Sequence, residues 1–193
     1  MASSLSWRQA VRSMDWSPPQ WSARLRRDRL STHSQCARTR CWSCTQLRDT
    51  ATREWRHHRL NALMDMFGGL HFTVLGFCCN QFGLQSPEVN SETLNILKYV
   101  RPGGGFIPKF PVFGKVEVNG LSEEPLFTYL KDSLPFVNPV IGDIKKFYWS
   151  PIRVNDIRWN FERFLITADG VPFRRYELHC PVSTVERDIA ELL

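Results

Sequence analysis

The chain lacks any run of eighteen apolar residues, so no membrane-crossing helix and no membrane partner are expected. Met1 to Gln20 lacks the apolar centre of a secretory leader, so secretion gains no support there and the expected location is cytoplasmic or extracellular. Six cysteines in 193 residues are too few for a scaffold held by disulfides. Lys, Phe, Ile and Tyr are missing from residues 1–59. That segment has little to bury and shows no sustained apolar period, so it is read as solvated rather than packed.

The net charge is uneven. Residues 1–60 carry 12 Arg and 4 acidic residues, whereas residues 61–193 carry a slight acidic excess, so the whole-chain charge of +6 sits in the first third. Five of the seven Trp are there as well: Trp7, Trp16, Trp21, Trp42 and Trp55. Arg and Trp together suit phosphates and stacked bases. His33, Cys36, Cys41 and Cys44 offer loosely spaced zinc ligands. A third reading is that residues 1–58 are GC-rich DNA translated outside its coding frame. The division expected is an unrelated 1–58 segment followed by a domain over 59–193, with no metal and no nucleic-acid partner.

From Leu60 onward the pattern becomes regular. Leu60 to Met66 reads as the last turns of a helix that Gly68-Gly69 ends. Phe72 to Phe77 is β-branched and aromatic, a buried strand. Ser86-Pro87-Glu88 predicts a helix start, with the helix running to about Val100. Phe110 to Val118 predicts a strand and Asn119-Gly120 a turn. Glu123 to Asp132 predicts a helix with Leu126, Phe127 and Leu130 on one side. Phe161 to Thr167 and Val171 to Leu178 flank Asp169-Gly170 as a hairpin. Ser183 and Glu186 form a capping-box pattern before a helix with Val185, Ile189, Leu192 and Leu193 on one face. The order implies an α/β fold.

Two blocks carry more than structure. Leu75-Gly76-Phe77-Cys78-Cys79-Asn80-Gln81-Phe82-Gly83 and Trp159-Asn160-Phe161-Glu162-Arg163-Phe164-Leu165 resemble the signature blocks of the glutathione peroxidases. Lys98 to Phe106, Val116 to Gly120 and Asp169 to Tyr176 also resemble family text, with the Gly103 loop typical of the longer, tetrameric members. The resemblance covers residues 60–193. It implies a thioredoxin-like fold and reduction of hydrogen peroxide and organic hydroperoxides by glutathione in the response to oxidative stress. It also implies glutathione and peroxides as partners, a homotetramer, and no cofactor beyond glutathione as co-substrate.

The same resemblance assigns residues. Gln81, Trp159 and Asn160 match the three partners of the family's reactive selenocysteine or cysteine. The amide of Gln81 and the indole N–H of Trp159 can donate to a chalcogen anion. Asn160 can donate too, or hold a transferring proton through water. Arg101, Arg174 and Arg175 match positions that contact glutathione, whose carboxylates suit Arg. Neighbouring strand residues point to opposite faces, which sets Arg174 and Arg175 apart unless the strand bends.

The departures are as specific. The reactive residue should fall near position 50, where Asp49-Thr50-Ala51-Thr52-Arg53 holds neither cysteine nor selenocysteine. Selenocysteine uses a codon otherwise read as stop, and a reading that avoided it would leave foreign text before residue 59. A family arginine falls at Trp55, a family lysine at Val89, and a family proline at Cys78. Cys44, Cys79 and Cys180 are the alternative thiols, with Cys79 read as structural. No central N-terminal strand is recognised, so the fold is expected to be incomplete, with both neighbouring strand edges exposed. The alternative function is a catalytically inactive family member that binds or regulates.

Overall fold

The computed structural model describes residues 40–45 and 55–193, with side chains from Arg56 onward. Five strands form one sheet: β1 (Arg40–Thr45), β2 (Phe72–Cys78), β3 (Val112–Lys115), β4 (Arg163–Ile166) and β5 (Pro172–Tyr176). Their order is β3-β2-β1-β4-β5. β1, β2 and β3 run parallel, and β4 runs antiparallel to both β1 and β5. Four helices complete the described chain: α1 (Trp55–Phe67), α2 (Thr93–Tyr99), α3 (Pro125–Ser133) and α4 (Val182–Leu192).

The α/β architecture agrees with the sequence, and one expectation is corrected. The central strand is present: Arg40–Thr45 lies between β2 and β4 and pairs with both. Its identity was hidden by an arginine-rich context and a length of six residues. What makes it a strand is non-local, because two open ladders accept its backbone groups from either side. The 58/59 division also falls inside α1, so the domain uses residues from the segment expected to be unrelated. The zinc-ligand and nucleic-acid readings rest on side chains outside the described residues.

β2 explains how the layers form. Phe72, Val74 and Cys78 pack into one apolar cluster, with Leu60 and Leu63 of α1 and Val185 and Ile189 of α4. Leu75 and Phe77 pack into the other, with Leu126, Phe127 and Leu130 of α3. Successive residues thus serve opposite layers, as strand geometry requires. β4 repeats the pattern, with Leu165 in the first cluster and Phe164 and Ile166 in the second. Strands covered on both faces read as continuous apolar runs, which is why β2 was plain in the sequence.

Three boundaries move. Ser86 does not start the helix; its main-chain N–H donates to Asn80 Oδ1 at 2.8 Å, which ties it to the loop after β2. A short 3-10 turn at Asn90–Glu92 leads into α2 instead. The strand expected over 110–118 shortens to four residues at the sheet edge. α4 carries no side-chain cap, so the Ser183/Glu186 box is not made. The hairpin turns where expected, and Gly170 takes the positive φ of 83° that the turn requires.

Candidate functional site

β1 and β2 end, and the antiparallel β4 begins, at the same side of the sheet: Cys44 lies opposite both Gly76 and Arg163. The end of β1 at Thr45, the Cys79–Gln85 loop and the Trp159-Asn160 pair therefore lie at one edge. In α/β sheets this carboxyl-end edge is where ligands bind.

Gln81 is buried there and tightly held. Its Oε1 accepts from the main-chain N–H groups of Val118 at 3.0 Å and Asn119 at 3.1 Å, and its Nε2 donates to the Asn119 carbonyl at 2.8 Å. Among the described residues, only one of its two Nε2 hydrogens is bonded. Trp159 is half-buried against Phe82, with ring centres 5.9 Å apart, and its indole N–H makes no bond among the described residues. Asn160 is fully buried; its Nδ2 donates to Gln85 Oε1 at 2.8 Å, and its Oδ1 has no hydrogen-bond partner among the described residues. The Gln81–Gln85 loop thus touches both Trp159 and Asn160.

Behind Gln81 lies a buried ionic cluster that motif reading missed. Lys131 Nζ lies 2.5 Å from Glu123 Oε2, 3.2 Å from Asp156 Oδ1 and 3.1 Å from Asn119 Oδ1. Asn119 also ties down Ile157, donating to its carbonyl at 3.0 Å and accepting from its N–H at 2.9 Å. Asp156 accepts from the Trp149 indole at 2.8 Å. These links join the loop after β2 to the segment before β4. The signal was a lysine one residue beyond Leu130, inside the apolar stripe of α3.

The three arginines part company. Arg174 is exposed and pairs with Asp188 of α4 at 2.6 Å. Arg175 is buried on the other face, where its Nε pairs with Glu162 and its Nη1 donates to Asn155 Oδ1 at 2.8 Å. Strand parity separates them, and Arg175 is spent inside the fold. Arg101 is half-buried in the loop after α2.

The described thiols differ in the same way. Cys78 and Cys79 are buried, and Cys180 is half-buried. Burial pushes the Cys79 thiol up to about 11 even though the Gln81 N–H donates to its Sγ at 3.4 Å. Such a thiol is not a nucleophile near neutral pH. Among the described residues, no group of three or more His, Cys, Asp or Glu is placed to hold a metal.

The glutathione peroxidase family model matches residues 34–131. The chain belongs to the glutathione peroxidase family. It is 51% identical over 138 residues to an epididymal secretory glutathione peroxidase of Sus scrofa, covering 72% of this chain and 63% of that protein. It is 50% identical to glutathione peroxidase 6 of Mus musculus (69% and 61% covered) and 48% identical to glutathione peroxidase 3 of Pongo pygmaeus (67% and 58% covered). The chain thus spans about six-tenths of the length of these relatives. The crystal structure of T. cruzi GPX1 matches with a TM-score of 0.57 and 24% identity, over 82% of this chain and 84% of that one, which shows the thioredoxin-like fold. The family match begins at residue 34, upstream of the resemblance legible from motifs and inclusive of β1.

Proposed function

We propose that this glutathione peroxidase family chain serves the reduction of hydrogen peroxide and organic hydroperoxides by glutathione. In balance, ROOH and two thiols give ROH, water and the disulfide. The observation that carries the reading is the shared edge: the loop that holds Gln81 touches Trp159 through Phe82 and Asn160 through Gln85. Gln81 and Trp159 offer donors to a chalcogen anion, and such donors favour the anion that attacks the O–O bond. Arg174, half-exposed while paired with Asp188, and Arg101 are the arginines proposed to meet a glutathione carboxylate. Arg175 is not offered, because Glu162 and Asn155 hold it inside.

A second reading is favoured by one observation: residues 46–54, which follow β1, contain no cysteine. It is a family member that binds peroxide or glutathione without turnover. Incubating the full chain with peroxide and glutathione decides between them. Oxidised glutathione formed in step with peroxide loss supports the first reading; bound glutathione without oxidation supports the second. An in-frame TGA in the transcript about ten codons before Asn61 would mark a selenocysteine near position 50.

A homotetramer is proposed on the exposed apolar side chains Phe136, Val140, Ile141, Ile144, Ile152 and Val154, which a second copy would cover. An extracellular location is proposed because three relatives are named secretory. No helix among the described residues is long and apolar enough to cross a membrane.

A further inference from the structure

Between α1 and the start of α4 lies a cavity of about 90 Å³ that none of Gln81, Trp159 and Asn160 lines. Three cations line it: Arg56 and Arg59 of α1, and Arg163, the first residue of β4. Arg56 and Arg163 are 6% and 7% exposed, and main-chain carbonyls hold both in place. Arg56 Nη1 donates to the Leu178 carbonyl, and its guanidinium lies over the Phe161 ring at 5.7 Å. Arg163 Nη2 donates to the carbonyls of Glu177 at 2.8 Å and Cys180 at 3.3 Å. No Asp or Glu is among the described residues of the wall. α4 opens on the same space with its positive end, where the N-cap Pro181 makes no side-chain bond to the first N–H groups. Guanidiniums fixed around a partly apolar cavity favour a carboxylate, whose two oxygens match their paired donors.

We propose that this cavity binds the free carboxylate of a short peptide, as a site separate from the reaction edge. At ~30 Å³ per water molecule its volume equals about three waters, which is room for a carboxylate and the carbon that bears it. The rest of the ligand has a place outside. An open groove of about 590 Å³ adjoins the cavity and shares Arg59, Pro181 and Val182 with it. Glu186 lines that groove beyond the arginines. The inner end is therefore cationic and the outer end offers an acid. This suits a zwitterionic peptide better than a dianion, with its carboxylate inward against the arginines and its ammonium outward toward Glu186. Cys180 is half-buried in the cavity wall, so its thiol reports whether the cavity is filled. The site does not depend on the peroxidase reading.

The test is the alkylation rate of Cys180 in the full chain, read by peptide mapping with the neutral reagent iodoacetamide at constant ionic strength. The probes are triglycine, triglycinamide and acetate. Triglycine at ten times its Kd is expected to slow Cys180 labelling about tenfold, by mass action. Triglycinamide, the same peptide without its carboxylate, and acetate at the same concentration are expected to leave the rate unchanged. Arg59→Gln should weaken the protection by triglycine about tenfold, the loss of one charge-assisted contact. Arg59 is exposed, so this variant decides the matter even where Arg163→Gln, expected to abolish protection, fails to fold. No slowing by millimolar triglycine, equal protection by triglycinamide, or full protection kept in Arg59→Gln would overturn the proposal. Protection by acetate equal to that by triglycine would overturn the assignment to a peptide. None of these readouts involves peroxide, so failure here leaves the peroxidase reading standing, and a chain without turnover leaves this site standing.

Discussion

Lys131 Nζ donates to Asn119 Oδ1 across 3.1 Å in the interior, while Asn119 holds Gln81 through its main chain. The ammonium also balances Glu123 and Asp156, whose side chains are 7% and 1% exposed. Replacing Lys131 by Met strands two buried carboxylates. We expect a loss of about 3–5 kcal/mol in urea unfolding, because a buried charge left without its partner is more costly than the pair. A loss below about 1 kcal/mol, the scale of an exposed pair, would show that water reaches these groups.

Arg175 and Glu162 are a second buried pair. Burial pushes the Glu162 carboxyl up, and Arg175 opposes that push. Arg175→Leu is expected to cost about 3–5 kcal/mol, and the Arg175→Leu/Glu162→Leu double variant much less. A double-mutant cycle in urea checks this. Single and double variants of equal stability would contradict it.

Asp188 links α4 to β5, accepting from Arg174 at 2.6 Å and from the Tyr176 hydroxyl at 2.9 Å. Burial alone would raise its carboxyl, but the bonds from Tyr176 and Arg174 outweigh burial and hold it below the usual range. A depressed folded pKa means that its stabilisation is complete above the unfolded value of about 3.9 and is lost as pH falls through the folded value. Melting temperatures should therefore drop below about pH 4. Asp188→Asn should melt lower at neutral pH and show a shallower acid drop. Parallel acid profiles for the two proteins would count against Asp188.

Cys79 and Cys180 should differ in alkylation. Cys79 is fully buried, and burial pushes its thiol up to about 11. Burial also raises the Cys180 thiol, Arg163 opposes this, and the residue is only half-buried. Peptide mapping after brief native alkylation near pH 8 should find Cys180 labelled and Cys79 untouched until the chain unfolds. Early labelling of Cys79 would mean that the Gln81 loop opens on its own.

The central strand can be tested at Ser43, which lies opposite Leu75 on one side and Phe164 on the other. Ser43→Pro removes a donor from a strand paired on both edges, where proline is not tolerated. We expect about 3 kcal/mol or more of destabilisation, or no cooperative melt. A variant as stable as the parent would show that Arg40–Thr45 does not hold the sheet together.

The sequence alone determined whatever depends on neighbours along the chain. β2 was legible because strands buried on both faces read as unbroken apolar text. α3 and α4 were legible from apolar residues at helical spacing, and the β4–β5 hairpin from Asp169-Gly170. The family was legible from two ordered blocks, which also placed Gln81, Trp159 and Asn160. Tertiary structure alone decided the rest. β1 needed two distant ladders to make a strand of arginine-rich text. The start of α2 moved to Thr93, after a 3-10 turn, while Ser86 is tied to Asn80 of the loop after β2. Parity could say that Arg174 and Arg175 part, but only Glu162 and Asn155 decided which one goes inside. Lys131 could be buried only because Glu123, Asp156 and Asn119 converge on it from other segments. A buried polar group is stabilised by partners far away in sequence, and no local pattern records them.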